Sequence, residues 1–124
     1  MLLALGQFVF EIGSAPFNEL GRQTAYRHEE SQRFGARPAS QFTGPGAETV
    51  SLRGAIYPGL AGRHAALDTL RGMAASGEGQ DMVDGDGVVH GQFVILSVDE
   101  TRSEFLDTGG ARKADFTLSL RRID

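Results

Sequence analysis

The chain has 124 residues, no cysteine, 17 glycines, and 12 basic against 16 acidic side chains for a formal net charge of −4. That length reads as a single domain over residues 1–124. The missing thiols exclude a disulfide framework and a thiolate metal site, and the acidic balance argues against specific nucleic-acid binding, which favours a basic stripe. The opening Met1-Leu2-Leu3-Ala4-Leu5 has no basic leader and is far shorter than the roughly 20 apolar residues of a membrane helix, so a soluble chain without a membrane partner is expected.

From Leu3 to Ile12, Phe8, Phe10 and Ile12 alternate with Val9 and Glu11, the period-two signature of a strand, before Gly13-Ser14-Ala15-Pro16 breaks the run. Asn18 to Arg33 is polar on both parities and has no helical apolar stripe, so we read a long exposed strand or ribbon. A strand with no greasy face needs water or a partner on both sides. Phe34 to Glu48, with Gly35, Pro38, Gly44, Pro45 and Gly46, reads as a long loop, and loops of that length are commonly interaction segments.

Thr49 to Tyr57 alternates again and stops at Pro58-Gly59. Near Arg63 to Ser76, Leu60, His64, Leu67, Leu70 and Met73 or Ala74 fall at three- and four-residue steps, which predicts one amphipathic helix. Asp68 and Arg71 can pair on its outer face, and Gly77 can end it. After Gln80 we expect a β-meander. Asp84-Gly85-Asp86-Gly87 signals a turn, and Val88 to Val98 is a central strand. Thr101 to Leu106 follows, Asp107-Thr108-Gly109-Gly110 makes a hairpin, and Arg112 to Arg122 closes with Ala114, Phe116, Leu118 and Leu120 inward. The order β-β-loop-β-α-β-β-β-β implies an α+β fold, mainly antiparallel β. A small barrel-like or strongly bent sheet with one helix packed on it is the economical solution.

Chemistry has little to work with. His28, His64 and His90 show no metal-ligand spacing, and His64 reads as a core-edge histidine with one hydrogen bond. The Asp84–Gly87 run lacks the alternating oxygen ligands of a calcium loop, because Val88 and Val89 fill positions that would need them. No phosphate cradle or nucleophile elbow is present. We therefore expect no catalytic residue, no cofactor and no metal.

Four phrases carry a likeness that runs the length of the chain. They are Leu5-Gly6-Gln7-Phe8-Val9-Phe10 with Ala15-Pro16-Phe17, then Arg37 to Gly46, then Ser51-Leu52-Arg53-Gly54-Ala55-Ile56-Tyr57-Pro58, and finally Gly110 to Leu120. In order and spacing they resemble the phage tail protein U family (gpU type) of contractile-tailed temperate phages. The resemblance implies a non-enzymatic virion protein on a tail-tube-like plan, acting in tail assembly at the tube/baseplate junction. It implies as partners further copies of the chain, in a hexameric ring, and other tail tube or baseplate proteins. It implies assembly in the host bacterial cytoplasm and residence in the virion tail. On that reading Arg27, Arg37, Gln41 and Phe42 are expected to make intersubunit or partner contacts. The alternative is a small monomeric or dimeric β-barrel binding module that grips a peptide or glycan through loop 34–48.

Overall fold

A computed structural model describes residues 2–11, 13–58, 62–105 and 111–124. Among them the order is β1 (Leu3–Leu5), β2 (Phe8–Phe10), β3 (Phe17–Arg33), β4 (Ala36–Ile56), α1 (His64–Ser76), β5 (Gln80–Asp84), β6 (Val89–Phe105) and β7 (Ala111–Arg122). The strands form one sheet, antiparallel throughout, in the order β2-β1-β5-β6-β7-β4-β3. The mainly antiparallel plan with one helix stands as expected, and the strand expected to be central, β6, is the middle one of the seven.

Alternation decides which side is core. Ala114, Phe116, Leu118 and Leu120 of β7 are buried and sit opposite buried Val50, Leu52 and Ile56 of β4. Leu3, Leu5, Phe8 and Phe10 bury the same side of the short first hairpin. Each buried valine, leucine, isoleucine or phenylalanine among them contributes on the order of 1.5–3 kcal/mol through burial. The sheet bends until its unpaired ends approach. Phe10 of β2 packs edge-on against Phe17 of β3 with ring centroids 5.8 Å apart. A cavity of about 30 Å³ is lined jointly by Leu3, Leu20, Val50, Met82 and Phe93, which come from five strands. Gly54 permits the approach, because a Cβ there would lie 2.7 Å from the Phe17 Cα.

The helix covers the core side through Ala66, Leu67 and Leu70, and Gly77 ends it in the left-handed region at φ 71°. Its outer residue Arg71 bonds Asp68 at 3.1 Å and reaches β6, where it donates to Glu100 at 2.7 Å. Burial alone would raise the Glu100 carboxyl; the guanidiniums of Arg71 and Arg102 outweigh it and hold the group below its ordinary value. His64 differs from its expectation: its Nδ1 is buried without a hydrogen-bond partner among the described residues, 3.9 Å from the Glu100 carboxylate.

Several boundaries also differ from the sequence reading. The first segment is a hairpin rather than one strand, because Gly6 takes φ 60° and turns the chain between β1 and β2. The two expected strands Val88–Val98 and Thr101–Leu106 are, among the described residues, one strand β6 over Val89–Phe105, since β7 pairs with it continuously past Asp99 and Glu100. The turn at Asp84 forms as expected, with its Oδ1 accepting from the backbone N–H of Asp86 and Val88. Ile12, Gly59, Leu60, Leu106 and the 107–110 hairpin lie outside the described residues.

Candidate assembly interface

The largest correction concerns Phe34 to Glu48. It is not a loop but the outer part of β4, which returns along β3 from Arg33↔Ala36 to Phe17↔Gly54. The turn is Phe34-Gly35, with Gly35 at φ 70°. Pro38, Pro45 and the nearby glycines are compatible with a strand here because β7 pairs with β4 only from Thr49 to Ile56. Beyond Glu48 the outer side of β4 has no ladder to interrupt, and proline is tolerated on such an edge. The reading of 18–33 as an exposed strand stands.

The result is a two-stranded arm. Past the pair Thr24↔Glu48 it has no third strand among the described residues. The ten positions from Thr24 to Arg33 rise roughly 30 Å at the usual strand spacing. Every described side chain from Asn18 to Ser31 is exposed. Register shifts fall after Thr24, Arg27 and Ser31, and bulges of this kind increase local twist.

The two faces of the arm differ. His28 lies opposite Phe42, with ring centroids 5.3 Å apart, and Tyr26 adds its ring 6.4 Å from Phe42. Tyr26 and Phe42 remain 62% and 57% exposed, so this aromatic group is surface and not core. Pleating puts Arg27, Glu29 and Gln41 on the reverse face. Phe34 is fully exposed at the tip.

A buried acid fixes the root. Glu48 is 6% exposed and accepts from Arg22 Nε at 2.6 Å and from Arg122 Nη1 at 2.9 Å. The Arg122 hydrogen bond, against the opposing effect of burial and with help from Arg22, holds the Glu48 carboxyl below its ordinary value. Arg122 in turn bonds Asp124 at 2.7 Å. Beside this knot is a cleft of about 480 Å³ lined by Tyr26, Pro45, Glu48, Arg122 and Asp124, among others.

All four residues expected at contacts lie on the arm: Arg27 on β3, and Arg37, Gln41 and Phe42 on β4. They are not one patch. Arg27 and Gln41 share the reverse face, Arg37 is exposed near the tip, and Phe42 sits on the aromatic face. Sequence reasoning missed Tyr26 and His28 as companions of Phe42, and missed Glu48 entirely. The signal for the first two was their shared parity; pairing them with Phe42 required the position of the turn.

His28 faces Phe42, His64 faces Glu100, and His90 Nε2 bonds Asp84 Oδ2 at 2.9 Å. Among the described residues no three histidine, aspartate or glutamate side chains gather as a metal site. Among the described residues no helix is long and apolar enough to cross a membrane. What the arrangement offers is a stiffly rooted, exposed, partly aromatic surface.

Comparison with known proteins gives a consistent picture. The family model described as Phage P2 GpU matches residues 6–124. A probable tape measure protein of Halomonas phage phiHAP-1 is 35% identical over 123 residues, covering 98% of this chain and 14% of that protein. The chain thus spans about one seventh of that relative's length. Among solved structures, the virion of a native gene transfer agent particle contains a chain with TM-score 0.65 and 16% identity, over 99% of this chain and 90% of that one. The extended sheath-tube complex of an extracellular contractile injection system, PVC, contains another, with TM-score 0.53 and 14% identity, over 99% and 85%. The tube-terminating cap of the anti-feeding prophage contains a third, with TM-score 0.52 and 13% identity, over 98% and 83%.

Proposed function

Because this chain belongs to the phage P2 GpU family, as a non-enzymatic, β-dominated structural protein of the virion tail, we propose that it closes into a ring of six copies at the tube/baseplate junction. The arm β3–β4 makes the contacts. Ring closure uses two unlike patches per copy, and an arm that leaves its own sheet supplies one of them. Arg27, Arg37, Gln41 and Phe42 touch a neighbouring copy or another tail protein, with Phe42 as the aromatic anchor. Assembly takes place in the host bacterial cytoplasm before incorporation into the tail.

The observation that carries this reading is the exposed aromatic group on a ribbon with no third strand. A second support is that a stretch like this chain forms part of a polypeptide named as a probable tape measure protein. That arrangement fits a position where the tube meets the tape measure. The test is native mass by light scattering across a concentration series, with negative-stain imaging of the same fractions, on the natural chain and on Phe42→Ala. We expect annular particles of six-fold mass from the natural chain. The folded mutant should need roughly 30-fold more protein to assemble, the equivalent of a hot spot of about 2 kcal/mol. Rings formed equally well by Phe42→Ala remove the arm from the interface.

A further inference from the structure

The side of the sheet that carries no helix has a cleft over its last strands. Leu52 and Val50 of β4 and Leu118 and Leu120 of β7 are buried, so pleating turns Arg53, Ser51 and Thr49 and their partners Thr117, Ser119 and Arg121 to the opposite side. The middle pair continues into Gly21 of β3 and Ser97 of β6, at one level across four adjacent strands. A cleft of about 510 Å³ opens there, lined by Gly21, Gln23, Thr49, Ser51, Ser119 and Leu96, among others. Leu96 stands at its β6 end, where the register shifts between Ile95 and Ser97, and is 53% exposed.

Spacing and charge together identify the arm of another copy as the occupant. The register shifts beyond Thr24 add their extra residues to β4, so β3 keeps its alternation. Tyr26, His28 and Glu30 therefore follow one another on the aromatic face at every second residue, with Phe42 opposite His28. The rows at Arg53, Ser51 and Thr49 succeed one another at the same interval. Each set spans about 13 Å at the usual strand rise, and packed sheets lie about 10 Å apart with their strands nearly aligned. Laid along the cleft, the arm brings the rings of His28 and Phe42 over Ser51 and Ser119, where there is room for them.

Charge then fixes the direction. Among the described residues neither Glu30 nor Arg121 has an ion-pair partner. The row of Arg121 contains Thr49, Gln23 and Val94 and no acid, whereas the row of Arg53 also holds Glu19 and Asp99. Glu30 is accordingly favoured over Arg121, which sets Tyr26 over Arg53, where a guanidinium can lie on the ring. The reversed arm would bring Glu30 to Glu19 and Asp99. The aromatic face continues the core-facing side of β3, where Leu20 lies opposite buried Leu52, while the cleft opens on the other side of the same strands. One copy cannot seat its own arm in its own cleft; a head-to-tail contact fills both.

We propose that Tyr26, His28, Phe42 and Glu30 of one copy dock in this cleft of the next copy, with Glu30 paired to Arg121. The proposal rests on the arm-mediated ring reading above and supplies its second patch. Two variants test it, Glu30→Arg and Arg121→Glu, both at exposed positions. Thermal melting first establishes that each is folded. Either variant alone opposes like charges at every contact. Mixed in equal amounts the two can alternate around a ring of six. The new arginine of the first then meets the new glutamate of the second, and the natural Glu30 of the second meets the natural Arg121 of the first.

We expect each variant alone to need roughly tenfold more protein than the natural chain to reach ring mass by light scattering, and the mixture to return to within about threefold of it. Variants that each assemble like the natural chain overturn the docking site and leave the arm reading to the Phe42→Ala result. Variants that fail alone and stay dispersed when mixed also overturn the docking site, and point to another surface or another tail protein as the receiver of the arm. A natural chain that stays monomeric at every concentration overturns both readings.

Discussion

Glu48 sits where the arm leaves the body, and its two arginine partners come from positions 22 and 122. No local pattern in the sequence announces this, because the partners are joined only by register. The Arg122 hydrogen bond, opposed by burial and assisted by Arg22, depresses the Glu48 carboxyl below its ordinary value of 4.5. A depressed acid stabilises the fold fully above its unfolded value, and the contribution disappears as pH falls through the folded one. At Glu100 burial pushes upward but Arg71 and Arg102 prevail, so that group has the same sign. Stability should therefore fall on the acid side of pH 4.5. Glu48→Gln should lose about 1–3 kcal/mol at pH 7 and show a shallower acid dependence. Urea unfolding at pH 7 and at about pH 3 checks this; an unchanged midpoint at pH 7 would show that the knot does not hold the root.

At the scale of elements, the arm is separable from the core it is attached to. Thr24 and Glu48 are direct partners, so replacing residues 25–47 with Asn-Gly keeps the register and closes the ribbon with a tight turn. The shortened chain should keep its melting temperature within about 8 °C, equivalent to about 1 kcal/mol, and should no longer form rings. Scattering mass and thermal melting measure the two effects separately. The same element shows how far sequence could be read. Strands with one buried face, such as Ala114 to Leu120, were legible because burial imposes alternation. The outgoing strand of the arm was legible from its polarity. The return strand was not, because Pro38, Gly44, Pro45 and Gly46 are breakers in a sheet interior yet are tolerated on a ribbon with an open side. The candidate site was legible to the same degree: its four residues fall on the arm, but which of them share a face depended on the Phe34-Gly35 turn.

The bend brings Phe10 to Phe17, and the β3–β4 arm projects from the core so formed; the fold is similar to that of chains in a gene transfer agent virion, a contractile injection system and the anti-feeding prophage cap, at TM-scores of 0.52–0.65. Sequence identity to those chains is only 13–16%, so what is shared is the fold and not the residues. The distribution of arginine over that shape has a consequence for proteolysis. Trypsin cleaves after lysine and arginine, and the chain offers it nothing before Arg22 or between Arg71 and Arg102. Arg27, Arg33 and Arg37, by contrast, all lie on the projecting ribbon. Limited digestion of the free protein should nick the arm first and leave the rest of the sheet associated. In the assembled state those same bonds should become the slowest to cut, so a time course read by mass spectrometry would report docking as a footprint, without any label or mutation.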